Sequence, residues 1–135
     1  DFSDGAQEWS GLMGVSQLEA RDGVLHFTTS SQDPAIQSGA LGLQAALYPR
    51  MVIVMQVTGG PAGALAGQLF WSETGAAITE STSVRFPLHA DGAVHTYTLN
   101  LGAHPRWRGE ITSLRFDPCD RPGVAVAIEE IRLEK

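Results

Sequence analysis

Apolar and polar residues alternate along much of this chain with a period of two. In Ser83–Leu88, Val84, Phe86 and Leu88 fall on one face, with Ser83 and Arg85 on the other. In Val94–Leu101, Tyr97, Leu99 and Leu101 oppose Thr96, Thr98 and Asn100. Glu110–Asp117 sets Thr112, Leu114 and Phe116 against Ile111, Ser113 and Arg115. Side chains two apart share a face only in an extended backbone, so each segment is predicted to be a strand with one wet face. Val15–Glu19, Val24–Thr28 and Gln68–Ser72 read as further strands. Met51–Val57 is a continuous apolar run of strand length, as expected of a central strand covered on both faces. In Val124–Leu133 the parity changes: Val124, Val126 and Ile128 share a face, then Ile131 and Leu133 take the other register. One extra residue at Glu129-Glu130, a β-bulge, accounts for the change.

Turn signals separate these segments. Asp22-Gly23 lies between two β-prone runs and predicts a tight hairpin, and Asp91-Gly92 predicts a second turn ahead of Val94. Fifteen Gly and seven Pro supply turns at short intervals. No segment sustains helical spacing over a dozen residues; Ala40–Tyr48 comes nearest and stops at Pro49. Eight or nine short strands of this kind predict a single all-β domain over residues 1–135, an antiparallel sandwich or jelly roll. Its solvated sheet faces are where a ligand can lie.

The formal charge of −6, with Lys135 as the single lysine, argues against nucleic acid, which is bound through clustered cations. The single cysteine, Cys119, excludes an internal disulfide and a multi-cysteine metal site. No apolar run reaches the ~18 residues of a membrane-spanning helix. The opening Asp1-Phe2-Ser3-Asp4-Gly5 reads as a mature start or a cut from something longer.

Asp1-Phe2-Ser3-Asp4-Gly5 with Trp9, and Val126-Ala127-Ile128-Glu129-Glu130-Ile131-Arg132-Leu133 at the other end, resemble the two ends of galactose-binding-like jelly rolls. Gln68-Leu69-Phe70-Trp71, His95-Thr96-Tyr97-Thr98-Leu99 and the stretch from Trp107 to Pro118 are similar to segments of the same group. It includes carbohydrate-binding modules appended to bacterial glycan-degrading enzymes. The resemblance spans nearly the whole chain through short motifs. It implies a non-catalytic role in binding a polysaccharide or oligosaccharide, a covalently linked catalytic domain, and an extracellular, cell-surface or periplasmic bacterial setting. It also implies a structural calcium ion joining the chain ends. Here the sequence departs from the group, with Ser3 where related modules carry Glu and Glu129 where they carry Asp. Asp4, Asp117, Glu129 and Glu130 are the carboxylates available to a hard cation.

Sugars present flat C–H faces and a rim of hydroxyls, so a site for them calls for an aromatic plane and planar hydrogen-bonding groups. Trp71, with Glu73 on its strand face, is the first candidate, and Trp107 in Pro105-Arg106-Trp107-Arg108-Gly109 the second. A core position for Trp71, and a plug at one end of the sandwich for Trp107, are the alternatives. Trp9 and Tyr97 are expected in the core. Arg115 and Arg85 point away from the apolar faces of their strands, and Asp117 shares the face of Arg115. A guanidinium there can hold two hydroxyls or a carboxylate. Asp33, in the polar loop after Ser30-Ser31-Gln32, completes the set.

Catalysis has no comparable support. The four His are scattered, neither HExxH nor GxSxG occurs, and Cys119 has acidic neighbours that disfavour a thiolate. The rival reading is a structural or protein-interaction sandwich packed on a neighbouring catalytic domain, with Trp71 at the centre of an apolar docking patch.

Overall fold

A computed structural model describes residues 9–59 and 65–135. The described chain forms eleven strands: β1 (Ser10–Met13), β2 (Val15–Arg21), β3 (Val24–Thr29), β4 (Ala35–Gln37), β5 (Leu43–Gln44), β6 (Arg50–Thr58), β7 (Leu65–Glu73), β8 (Ser83–Leu88), β9 (Val94–Asn100), β10 (Glu110–Asp117) and β11 (Ala125–Glu134). They make two antiparallel sheets, one ordered β1-β4-β10-β7-β8 with β5 also on β10, the other β2-β3-β11-β6-β9.

The Asp22-Gly23 hairpin forms as expected between β2 and β3. Both turn residues have positive φ, 55° and 78°, which places Arg21 opposite Val24. Right-handed strand twist favours that turn geometry. Asp91-Gly92 has a different role: it carries the chain from β8 in one sheet to β9 in the other. Ala40–Tyr48, the nearest approach to a helix, contains β5 and a single 3-10 turn at Ala45–Leu47.

The bulge in β11 is present. Register against β6 slips between Ile128 and Glu130, so Ile131 pairs with Ile53 and Leu133 with Met51. A further bulge lies in β10, where the sequence pattern predicts unbroken alternation. Ile111 pairs with Glu73 and Ser113 with Ser72, which leaves Thr112 as the extra residue. Ile111, Leu114 and Phe116 therefore all face inward, and Thr112 does not share their face as strict alternation required. The Thr112 hydroxyl instead lies 2.8 Å from that of Ser72.

The core lies between the sheets. Leu25, Ile53, Met55, Leu69, Phe116 and Ile128 are each fully enclosed. Burying side chains of this size stabilises the fold by about 1.5–3 kcal/mol each. The end of β3 is tied to the β10–β11 connection by Thr29, whose hydroxyl donates to Arg121 O at 2.7 Å and accepts from Val124 N at 2.9 Å.

Candidate functional site

The outer face of the β1-β4-β10-β7-β8 sheet carries an open groove of about 440 Å³. Its floor follows from cross-strand register. Arg115 on β10 lies between Gln37 on β4 and Phe70 on β7. One step along, Asp117 pairs with Gln68, and Gln68 with Arg85 on β8. The β7–β8 connection, with Ile78, Thr79 and Glu80, and the loop carrying Gln32 and Asp33 also line the groove.

Hydrogen bonds fix most of these groups. The Arg115 guanidinium donates from Nε to Asp117 Oδ1 at 2.8 Å and from Nη2 to Asp117 Oδ2 at 2.9 Å. A third bond runs from Nη2 to Asp33 Oδ1 at 3.3 Å. Arg115 also lies over the ring of Phe70, its Cζ 4.9 Å from the ring centroid. Gln68 Nε2 donates to Glu80 Oε2 at 2.8 Å and to Ser83 Oγ at 3.0 Å, which ties the β7–β8 connection to the floor. Arg85 stands 3.8 Å from the same Glu80 oxygen and is largely exposed.

The electrostatics follow from that packing. Hydrogen bonding to Asp117 raises the pKa of Arg115 and keeps it charged. Burial pushes the Asp117 carboxyl up, against the pull of the two bonds from Arg115. Cys119, at the groove's margin, is buried, and that burial pushes its thiol up, which disfavours the thiolate.

Three of the six candidate ligand residues, Arg115, Arg85 and Asp33, come together in this groove. The others do not. Trp71 is fully buried among the core side chains, and its Nε1 donates to Arg106 O at 3.1 Å. It sits on the inward face of β7 with Leu69, so it offers no plane to a ligand. Trp107 is also buried, and its Nε1 donates to Ala45 O and Tyr48 O. It plugs one end of the sandwich. Glu73 lies at the far end of β7 beside Gly109, outside the groove. Tyr97 is in the core, as expected, and Trp9 packs partly against it. Gln68, Glu80 and Phe70 line the groove without having been candidates. The signal for Gln68 and Phe70 was their shared parity, two apart on one strand, facing Arg85 and Arg115.

Of the four carboxylates available to calcium, the three among the described residues are not gathered. Asp117 on β10 is engaged by Arg115, and Glu130 on β11 in the other sheet by Arg132. Glu129 occupies the bulge, and Asp4 lies outside the described residues. Among the described residues, no three His, Cys, Asp or Glu side chains come close enough to hold a metal ion. The described members thus do not form the oxygen cage that a hard cation needs. The exposed large apolar side chains among the described residues are Leu12 and Met13 on β1, Leu47 after β5 and Val94 on β9, on three separate elements. Among the described residues, no helix is long and apolar enough to cross a membrane.

No protein-family model matches the chain, and no curated protein matches it significantly. Solved structures do match. A carbohydrate-binding module specific for non-crystalline cellulose, CBM28, superposes with a TM-score of 0.71 at 14% identity, over 99% of this chain and 91% of that one. A CBM4 module gives 0.58 at 14% identity, over 99% and 90%. The family 11 module from Clostridium thermocellum, solved with a β-1,3-1,4-mixed-linked tetrasaccharide, gives 0.57 at 13% identity, over 99% and 92%. The chain therefore has the β-sandwich fold of carbohydrate-binding modules.

Proposed function

We propose that this domain is a non-catalytic carbohydrate-binding module that holds a polysaccharide along the groove on the β4-β10-β7-β8 face. The observation that carries the reading is the convergence of Arg115, Arg85, Gln68, Asp33 and Glu80 on one open trough of about 440 Å³. Guanidinium, amide and carboxylate groups are planar, and they match the spaced hydroxyls of a sugar chain. The fold shared with modules that bind cellulose and mixed-linked glucan supports the same reading. Phe70 is only 6% exposed, under Arg115, so recognition rests on hydrogen bonds more than on aromatic stacking.

Such a module lowers no reaction barrier. It raises the local concentration of a tethered partner on its polymer. The setting that suits this role is a larger glycan-active protein outside the cytoplasm, and we propose that as well.

Affinity electrophoresis in gels containing hydroxyethylcellulose, mixed-linked β-glucan, xylan or glucomannan tests the binding. At least one polymer is expected to retard the domain, and Arg85→Ala and Gln68→Ala are expected to restore mobility. Free migration through all four gels would overturn the proposal.

A further inference from the structure

We propose that Arg115 determines ligand contact in the groove through Nη1 alone, with Asp117 as the positioning residue that holds the guanidinium in place. The inference rests on the polysaccharide reading above and assigns its central contact.

A guanidinium carries five N–H donors in one plane. Three of them are committed: one on Nε and one on Nη2 to Asp117, and the second on Nη2 to Asp33. Nη1 donates to no described residue, and it is not among the buried atoms left without a partner. Its two N–H groups are thus the ones that Arg115 presents to the groove it lines.

The group is also prevented from moving. Asp117 lies two residues along the same strand face and grips the guanidinium with two bonds, while Phe70 supports it from the neighbouring strand. The Arg115 side chain is 18% exposed and that of Asp33 67%. One edge of the arginine is therefore fixed from inside and one edge is open. A free surface arginine must freeze its rotamers to bind; this one is frozen beforehand. Asp117 and Asp33 offset its positive charge, and Glu80 lines the same groove. Asp120 lines it too, so four carboxylates stand against two guanidiniums, Arg115 and Arg85, and a uronate carboxylate approaching Nη1 meets a net negative groove. The acceptor that suits Nη1 is a hydroxyl or ring oxygen.

The test uses the full chain with the four polysaccharides named above, polygalacturonate and ¹⁵N spectra of the arginine side chains. Arg115→Lys keeps the charge and a bond to Asp117 but removes the second arm of the fork. It is expected to weaken glycan binding roughly tenfold or more, the scale of one charge-assisted hydrogen bond. Asp117→Asn is expected to give a similar loss. Glycan should shift the Arg115 Nη1 signal in the unaltered protein, a change that a purely structural arginine would not show. Polygalacturonate should shift nothing.

Unchanged affinity in Arg115→Lys, or an Nη1 signal that bound glycan leaves in place, overturns the inference and spares the polysaccharide reading. Absence of binding to all four polymers by the unaltered protein overturns both. If Asp117→Asn does not fold, Arg115→Lys and the spectra decide the matter.

Discussion

Trp71 and Trp107 meet edge to face, their ring centroids 5.2 Å apart and their planes at 89°. His104 approaches Trp71 in the same manner at 5.0 Å. Each indole N–H is satisfied by a backbone carbonyl, so the pair closes one end of the sandwich with neither indole donor left over. Trp71→Ala is therefore expected to cost about 3–5 kcal/mol of stability. Urea denaturation measures it directly. A binding assay on that variant would report unfolding rather than a lost sugar contact.

Two glycines separate backbone cost from packing cost. Gly23 has φ 78°, and a Cβ there would meet nothing within 4 Å. Gly23→Ala should lose about 1–2 kcal/mol, the cost of a left-handed non-glycine residue. A Cβ on Gly67 would lie 2.6 Å from Phe86 Cζ. Gly67→Ala should lose about 1–3 kcal/mol by overpacking. Thermal melts of the two variants, with a repacked Phe86→Leu partner for Gly67→Ala, distinguish the causes: only the second loss should be relieved.

Two aspartates are expected to titrate in opposite directions. Asp91 is held below the ordinary carboxylate range by the Ala93 amide first and by His95 second. Its contribution to stability is present above the unfolded-state pKa and disappears as pH falls through the folded one. Asp117 is pushed up by burial, so the folded state binds its proton more readily than the unfolded state does. That group favours folding below its folded pKa, and the benefit is lost as pH rises from the ordinary value through it. Carboxyl ¹³C titration should place the Asp117 midpoint above that of Asp91. His95→Ala should raise Asp91 only part of the way to normal, because the Ala93 bond remains.

The bulge in β11 predicts an unusual tolerance. Deleting Glu129 would restore regular alternation, with Glu130 outward and Ile131 still opposite the core side of β6. The deletion variant should fold with an unchanged β-sheet circular dichroism spectrum. Deleting Thr98 from β9, which pairs with β6 without a slip, should abolish that spectrum, since every later side chain of the strand changes face.

Period-two patterning made β8, β9, most of β10 and the β11 bulge legible, because each keeps a wet face; β6 was legible as a continuous apolar run and the hairpin from Asp22-Gly23. The short strands β1, β4 and β5 run for four, three and two residues, too few for alternation to register. On β7, Leu69, Phe70, Trp71 and Ser72 are all buried. Arg115 and neighbouring strands cover the outer face there, so polarity along the strand left Trp71 open between a core position beside Leu69 and an exposed one. Arg115 and Arg85 were readable as outward; their meeting in one groove was not, because it depends on β10 and β8 flanking β7, and nothing local encodes which strands become neighbours.

On β10, Leu114 and Phe116 build the interior while Arg115 and Asp117 build the groove. Two jobs are thus interleaved residue by residue on one strand. Any gain or loss of a single position between Ser113 and Asp117 would trade hydrocarbon for charge across the sheet. New recognition chemistry can arise on that floor by substitution only, whereas the loops before β4 and after β7 are free to vary in length and reshape the trough's rim.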